Sequence, residues 1–168
     1  MDATGDPALP VDVVVGGHPF LLRRAVAADV PAVVALLADD PLGAGREDTG
    51  PGAVPGYLRA FAAVDADPCQ ELLVAEDDGE VVATLQVAHL AGLSRRGAVR
   101  TQLEAVRVAR RHRSRGLGTA LVRWVVEDAR RRGSAVVQLT SHASRQDAHR
   151  FYARLGFTAS HVGMKVEL

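Results

Sequence analysis

The sequence predicts a single α/β domain in which one mixed sheet is layered by helices. Three observations predict it. The elements read in the order β-α-α-β-β-β-α-β-α-β, and the length of 168 residues suits about one domain. The stretch Thr101 to Gly133 also passes from strand through a basic loop and a glycine pair into a helix. A chain of this size buries roughly two-thirds of its unfolded surface, enough for a core without metal or disulfide staples.

Taken in order, Met1 to Gly17 is rich in Gly, Pro and Asp and reads as a flexible lead-in. Its Val11–Val15 run allows a loosely docked extra strand instead. The domain proper is placed at residues 18–168. Phe20 to Ala25 is the first expected strand. Asp29 to Asp39 follows as a helix, with Pro31 in its first turn and Val30, Val33 or Val34, and Leu37 on one face. Asp40 to Pro55 holds four glycines and three prolines and must be a loop. Tyr57 to Val64 resumes helical spacing. Glu71–Glu76 and Glu80–Leu90 form a hairpin across Asp78-Gly79, a strong two-residue turn signal. Ala91 to Gly97 is a polar turn.

Thr101 to Gly133 organises the rest. Leu103, Val106 and Val108 mark a strand, and Ala109 to Arg115 is a short basic loop. After Gly116-Leu117-Gly118, a helix stacks Leu117, Leu121, Trp124 or Val125, and Ala129 on one face. Arg130, Arg131 and Arg132 suit the negative end of its dipole, and Gly133 suits a left-handed cap. Ala135 to Thr140 is a short buried strand. Ser144 and Asp147 form a variant capping box for a helix that buries Ala148, Phe151 and Leu155 and stops at Gly156. Phe157 to Leu168 supplies one or two last strands.

Small residues at a helix start let backbone N–H groups point outward at the positive end of the dipole, a ready seat for phosphate or pyrophosphate. Arg110, Arg111, Arg113 and Arg115 surround it with positive charge, unless they are a solvated charge run. Two known phosphate loops do not apply. The ATP-binding loop ends in Gly-Lys-Ser/Thr, whereas the sole lysine here is Lys165, and the dinucleotide fingerprint needs a third glycine where this chain has Leu121.

Composition excludes more than it asserts. The formal net charge is zero, which gives no global pull toward nucleic acid or an anionic membrane. Few aromatics are present to stack bases. No run approaches the ~18 apolar residues of a membrane helix, and no secretory signal opens the chain, so a cytoplasmic protein is expected. One cysteine, Cys69, forms no intramolecular disulfide and no metal cluster; it reads as a small half-buried residue at a strand start. No metal site is expected.

The pattern Arg113-x-x-Gly116-x-Gly118 between strand and helix resembles the acyl-CoA signature of the GNAT superfamily of N-acetyltransferases. Downstream, Ala148-His149-Arg150-Phe151-Tyr152 followed by Gly156-Phe157 resembles that superfamily's closing helix. The resemblance implies a mostly antiparallel sheet splayed at an acetyl-CoA cleft. It implies that Val106, Arg107 and Val108 pair with the pantetheine arm, and that Arg113, Ser114, Arg115, Gly116, Leu117, Gly118 and Thr119 cradle the pyrophosphate. Arg145 stands where the family often has a cofactor-contacting Asn, and Ser114 where a glycine is common. Tyr152 matches the tyrosine that hydrogen-bonds the CoA sulfur, with core packing beside Phe151 as its other reading. Glu104 lies where many relatives carry a general base, or is a strand-face carboxylate paired to arginine. His142 and, more weakly, His89 are acceptor-side candidates, while His149 is expected to be exposed.

The implied reaction is acetyl transfer from acetyl-CoA to a primary amine of a small molecule by direct attack in a ternary complex. An acyl-CoA-binding regulatory module without turnover is the alternative. A homodimer is compatible with either.

Overall fold

The computed structural model describes residues 9–40 and 43–167. Six strands form one sheet: β1 (Val11–Val15), β2 (His18–Arg24), β3 (Gln70–Asp77), β4 (Glu80–Leu90), β5 (Arg100–Val108) and β6 (Val136–Leu139). They lie side by side in chain order, and every neighbouring pair is antiparallel except β5 and β6. The helices are α1 (Val30–Ala38), α2 (Val54–Ala66), the single turn α3 (Ser94–Gly97), α4 (Leu117–Arg131) and α5 (Gln146–Arg154). The hairpin turn is the one the sequence demands. Asp78 and Gly79 both take positive φ, 49° and 82°, which matches the right-handed twist of the flanking strands.

Both faces of the sheet are buried, because consecutive residues of β3 point to opposite sides. Leu73 and Ala75 join Leu22, Leu85 and Leu103 beneath α4, whose inner face is Leu117, Leu121, Val122 and Val125. Val74, between them, meets Ala25 and Val33 on the side covered by α1 and α2. Val125, rather than Trp124, is the fully buried member of the α4 stripe. Gly133 takes φ 73° after the last turn, and Ser134 N–H closes on the Ala129 carbonyl at 2.8 Å. Arg23 straps the entry to α1 onto β3: its guanidinium bonds Asp29 twice, at 2.7 and 2.9 Å, and also bonds Glu76.

Several expectations need correction. Of the two readings of the Val11–Val15 run the extra strand holds and the flexible lead-in does not: it is β1, paired with β2 over its whole length with Val13 buried. Residues 1–8 lie outside the described residues. Ser144 does not cap α5, because its hydroxyl is engaged by the His142 ring at 2.7 Å, and Arg145 stands at the N-cap. Helix α5 has no fully buried residue; Phe151, Tyr152 and Leu155 are half-buried against the core. Cys69 is exposed, held in a turn where its N–H bonds the Asp67 carboxylate. The last strands do not form, since residues 157–167 have no regular structure. Hydrophobic alternation alone makes no strand without a neighbour to bond. Among the described residues no helix is long and apolar enough to cross a membrane.

His89, near the end of β4, sits in a polar cluster with Thr101 and Ser134 (Nδ1 to Thr101 Oγ1 3.1 Å, Thr101 Oγ1 to Ser134 Oγ 2.8 Å). Burial, reinforced by Arg132 and opposed by Glu71 and Asp128, holds its imidazole below the ordinary value of 6.5. The unfolded chain therefore takes up this proton at a higher pH than the folded chain does, so stability falls as pH drops below about 6.5. Urea denaturation of His89→Gln between pH 7.5 and 5.5 should show a flatter decline than the native chain; an unchanged slope would remove His89 as the cause.

Candidate active site

The site begins where a ladder ends. β5 and β6 pair in parallel from Arg100 with Val136 to Leu103 with Leu139. β5 runs on to Val108, while the chain leaves β6 after Leu139, so the two strands part. From Glu104 to Val108, β5 is paired on its β4 side only. At the parting point β5 carries a bulge: Ala105 and Val106 together oppose Leu85, and Ala105 takes φ 52°. A left-handed alanine is strained, and strain of this kind gathers at sites where the backbone must be re-aimed.

Beyond β5, a 3₁₀ turn (Arg110–His112) leads to Ser114 and Gly116, both at positive φ, 60° and 99°. Gly116 is the N-cap of α4, and no side chain caps that helix. Its first amides thus face outward at the positive end of a 15-residue dipole. Gly116 cannot easily carry a side chain, since an added Cβ would meet Val15 at 3.1 Å in a left-handed backbone. Gly118 lies under Phe151 and Val108, whose atoms would stand 3.6 Å from such a Cβ. The two glycines therefore do different jobs, one conformational and one of close approach.

The arginines are not free to surround this helix start. Arg113 donates to the Val108 carbonyl at 2.8 Å and to Asp39, and Arg110 also bonds Asp39. Arg111 pairs with Glu80. Deeper in, Asp40 bridges Arg107 (2.9 Å) and Arg145 (2.7 Å). Sequence reasoning missed Asp39 and Asp40, yet a signal was present. Two carboxylates at the negative C-terminal end of α1 are disfavoured there unless cations from elsewhere meet them.

Tyr152 lies beside this cluster, edge-on to Phe151 and Phe157 with centroids 5.0 and 5.6 Å away. Burial pushes its phenol above the usual value near 10, and the nearby Arg107 and Arg145 guanidiniums oppose the shift without cancelling it. Burial likewise lowers Arg107, with Asp40 opposing. Glu104 is exposed on β5, opposite Gln86 and one residue before the bulge. Ser141, two residues past Leu139, was not singled out by the sequence. Its Oγ is buried and has no hydrogen-bond partner among the described residues, the mark of a hydroxyl awaiting a ligand or water.

The fold thus gathers Val106, Arg107, Val108, residues 113–119, Arg145 and Tyr152 around one wedge. His142 is exposed in the loop beside it, whereas His149, expected to be exposed, is half-buried on α5 with its Nε2 meeting the His142 carbonyl at 3.1 Å. His89 belongs to the opposite end of β5, beside Thr101, and is not part of the site. A separate hollow between α2 and β3, lined by Phe61, Val64 and Leu72, is also remote from the wedge.

The sequence profile of the acetyltransferase (GNAT) family matches residues 35–157. A transcriptional regulator from Bacillus halodurans C-125 is 40% identical in its crystal structure, covers 89% of this chain and 99% of its own, and superposes with a TM-score of 0.85. The aminoalkylphosphonate N-acetyltransferase of Salmonella typhimurium is 29% identical over 140 residues, 83% of this chain and 86% of that one. A predicted acetyltransferase from Clostridium acetobutylicum, solved with acetyl-CoA, is 16% identical over 88% of this chain and 96% of its own, with a TM-score of 0.67, a likeness of fold alone.

Replacing the strained Ser114 by glycine should stabilise the fold by about 1 kcal/mol, the relief of φ 60° less the extra freedom of the unfolded chain. Equilibrium urea unfolding checks this, and a loss of stability would show that the Ser114 side chain has a bond worth more than its strain.

Proposed function

Since the chain belongs to the acetyltransferase (GNAT) family, whose members use acetyl-CoA, we propose that it transfers an acetyl group to a primary amine of a small molecule by direct attack in a ternary complex. One observation carries the reading. A stretch of β5 with no strand on its β6 side and an uncapped helix start lie at one wedge beside a half-buried tyrosine.

In this reading the strand-free edge of Val106, Arg107 and Val108 holds the pantetheine arm as a missing strand would, in competition with the Arg107 and Arg113 side chains for the Val106 and Val108 carbonyls. The amides of residues 113–119 hold the pyrophosphate, with Arg145 near the same end. Binding there sets phosphate in competition with Asp39 for Arg110 and Arg113. The amine nitrogen attacks the thioester carbonyl carbon, the C–N bond forms and the C–S bond breaks. Glu104 takes the proton lost by the amine, directly or through water, and Tyr152 gives hydrogen-bond density to the departing sulfur. A phenol raised above 10 stays protonated at neutral pH but is a weaker acid than a thiol near 8.5. Its part is therefore chiefly to donate a hydrogen bond to the thiolate.

The acceptor proposed is an amine bearing an anionic group. The Salmonella relative acts, by its name, on aminoalkylphosphonates, and Arg95 and Arg96 stand exposed in α3. The Bacillus relative, by its name a regulator, favours a second reading: acyl-CoA binding without turnover.

A thiol-release assay with acetyl-CoA against amines with and without phosphonate or carboxylate groups separates the two. Turnover with one of them supports transfer, whereas tight CoA binding with no thiol released from any amine supports the regulator. Tyr152→Phe is expected to lower kcat about 100-fold with little change in KM for acetyl-CoA. If KM alone rises, Tyr152 only positions the cosubstrate. Glu104→Gln should slow turnover most at low pH, where neutral amine is scarce, and an equal rate at every pH would end its assignment as the base.

A further inference from the structure

On the sheet face away from α4, three strands contribute to one patch. Leu72 stands opposite Gln86, and Gln86 opposite Glu104, so their side chains project to the same side. Leu72 packs against the cluster beneath α1 and α2, which identifies that side. Gln70, two residues before Leu72, shares it. The patch is open at Glu104, which is exposed, while Gln70 and Gln86 are half-buried.

Gln86 is not free to turn its amide over. Its Nε2 donates to Gln70 Oε1 at 2.9 Å, and Gln70 Nε2 donates to Asp67 Oδ2 at 2.9 Å. This series of bonds begins at a carboxylate, and an ionised carboxylate only accepts. The Gln70 amide and the Cys69 N–H hold the Asp67 carboxyl below its ordinary value, so it stays ionised. Gln70 must therefore turn its NH2 toward Asp67 and its oxygen toward Gln86, and Gln86 must turn its NH2 toward Gln70. With that nitrogen drawn toward β3, the Gln86 carbonyl oxygen, on the other arm of the amide, is left for the β5 side, where Glu104 lies. It accepts from no donor among the described residues.

We infer that Gln86 Oε1 and the Glu104 carboxylate together seat the ammonium group of the acceptor, and that Asp67, through Gln70, sets the polarity of that seat. Two oxygens on directly opposed strand residues, with Cβ atoms about 5 Å apart, suit a group that carries several N–H donors. An alcohol brings one donor and leaves one oxygen unmatched, so the seat selects amines over hydroxyl compounds. One ammonium proton passes to Glu104. The bond to Gln86 stays, because an amide oxygen takes no proton at neutral pH, and the nitrogen is held while its lone pair is released for attack.

Because the amine is taken from the acyl-transfer reading, on which this seat rests, binding and turnover are measured separately. Titration calorimetry of the CoA-loaded chain compares aminomethylphosphonate, glycine and butylamine with hydroxymethylphosphonate, glycolate and butanol. At least one amine should bind, and more tightly than its hydroxyl counterpart. Gln86→Met, which keeps the length and removes both polar atoms, should weaken that binding about tenfold with CoA affinity unchanged. Asp67→Asn acts from outside the patch. Its Oδ1 can keep the Cys69 N–H while its NH2 faces Gln70, which reverses both amides and turns the Gln86 NH2 toward Glu104. Amine binding should weaken about as much, again with CoA affinity unchanged. Amine binding that depends on Gln86 and Asp67 without thiol release supports the seat and overturns acyl transfer. Thiol release with amine affinity untouched by either substitution overturns the seat and leaves acyl transfer standing. A native chain that binds none of the amines, or variants that lose CoA and amine affinity together, also overturn the seat.

Discussion

A backbone amide can bond a neighbouring strand or a ligand, but not both. The parting of β5 from β6 after Leu103 and Leu139 is therefore the constraint on which the rest of the site depends. It leaves Glu104 to Val108 laddered to a strand on one side only, while the Val106 and Val108 carbonyls accept from the Arg107 and Arg113 side chains. The bulge at Ala105 aims the freed segment across the start of α4, and the buried stripe of that helix against Leu85 and Leu103 keeps its uncapped end in place. A strand that stayed paired would close the wedge. A conventional capping residue at position 116 would occupy the amides.

Charge in the site is arranged differently from its appearance along the chain. The run Arg107 to Arg115 reads as a positive field, but Asp39, Asp40 and Glu80 take up five of the chain's arginines around the wedge. What remains turned outward is the exposed Arg115 together with the helix dipole and its amides, the latter a fixed donor array. The two aspartates also tie the end of α1 to β5, to the segment before α4 and to the start of α5 through one set of ion pairs. At the other end of the sheet the buried carboxylates of Glu71 and Asp128 form a separate network with Arg24 and Arg132.

Much was legible because local rules agreed with the fold. The Asp78-Gly79 hairpin, the Leu117–Leu121–Val125–Ala129 stripe, the Gly133 cap and the paired glycines at 116 and 118 each follow from turn chemistry or helical period. The misreadings share one cause. Val11–Val15, Ser144 and residues 157–167 are short segments whose state is set by a partner outside the local pattern. β1 exists because β2 offers a ladder, Ser144 fails as a cap because His142 claims its hydroxyl, and residues 157–167 form no strand because no described strand ladders with them.

By itself the sequence determined the fold class, the order of the central elements and the family resemblance, since these rest on periodicity and on residues adjacent in the chain. Only the tertiary structure decided where β5 leaves β6, that Asp39 and Asp40 hold the arginines, and that the Ser141 Oγ is buried with no hydrogen-bond partner among the described residues while His89 sits at the far end. The physical reason is range. Turns, caps and helical faces are settled over four or five residues, whereas ion pairs and strand registers join residues as many as 105 positions apart, as Asp40 and Arg145 are.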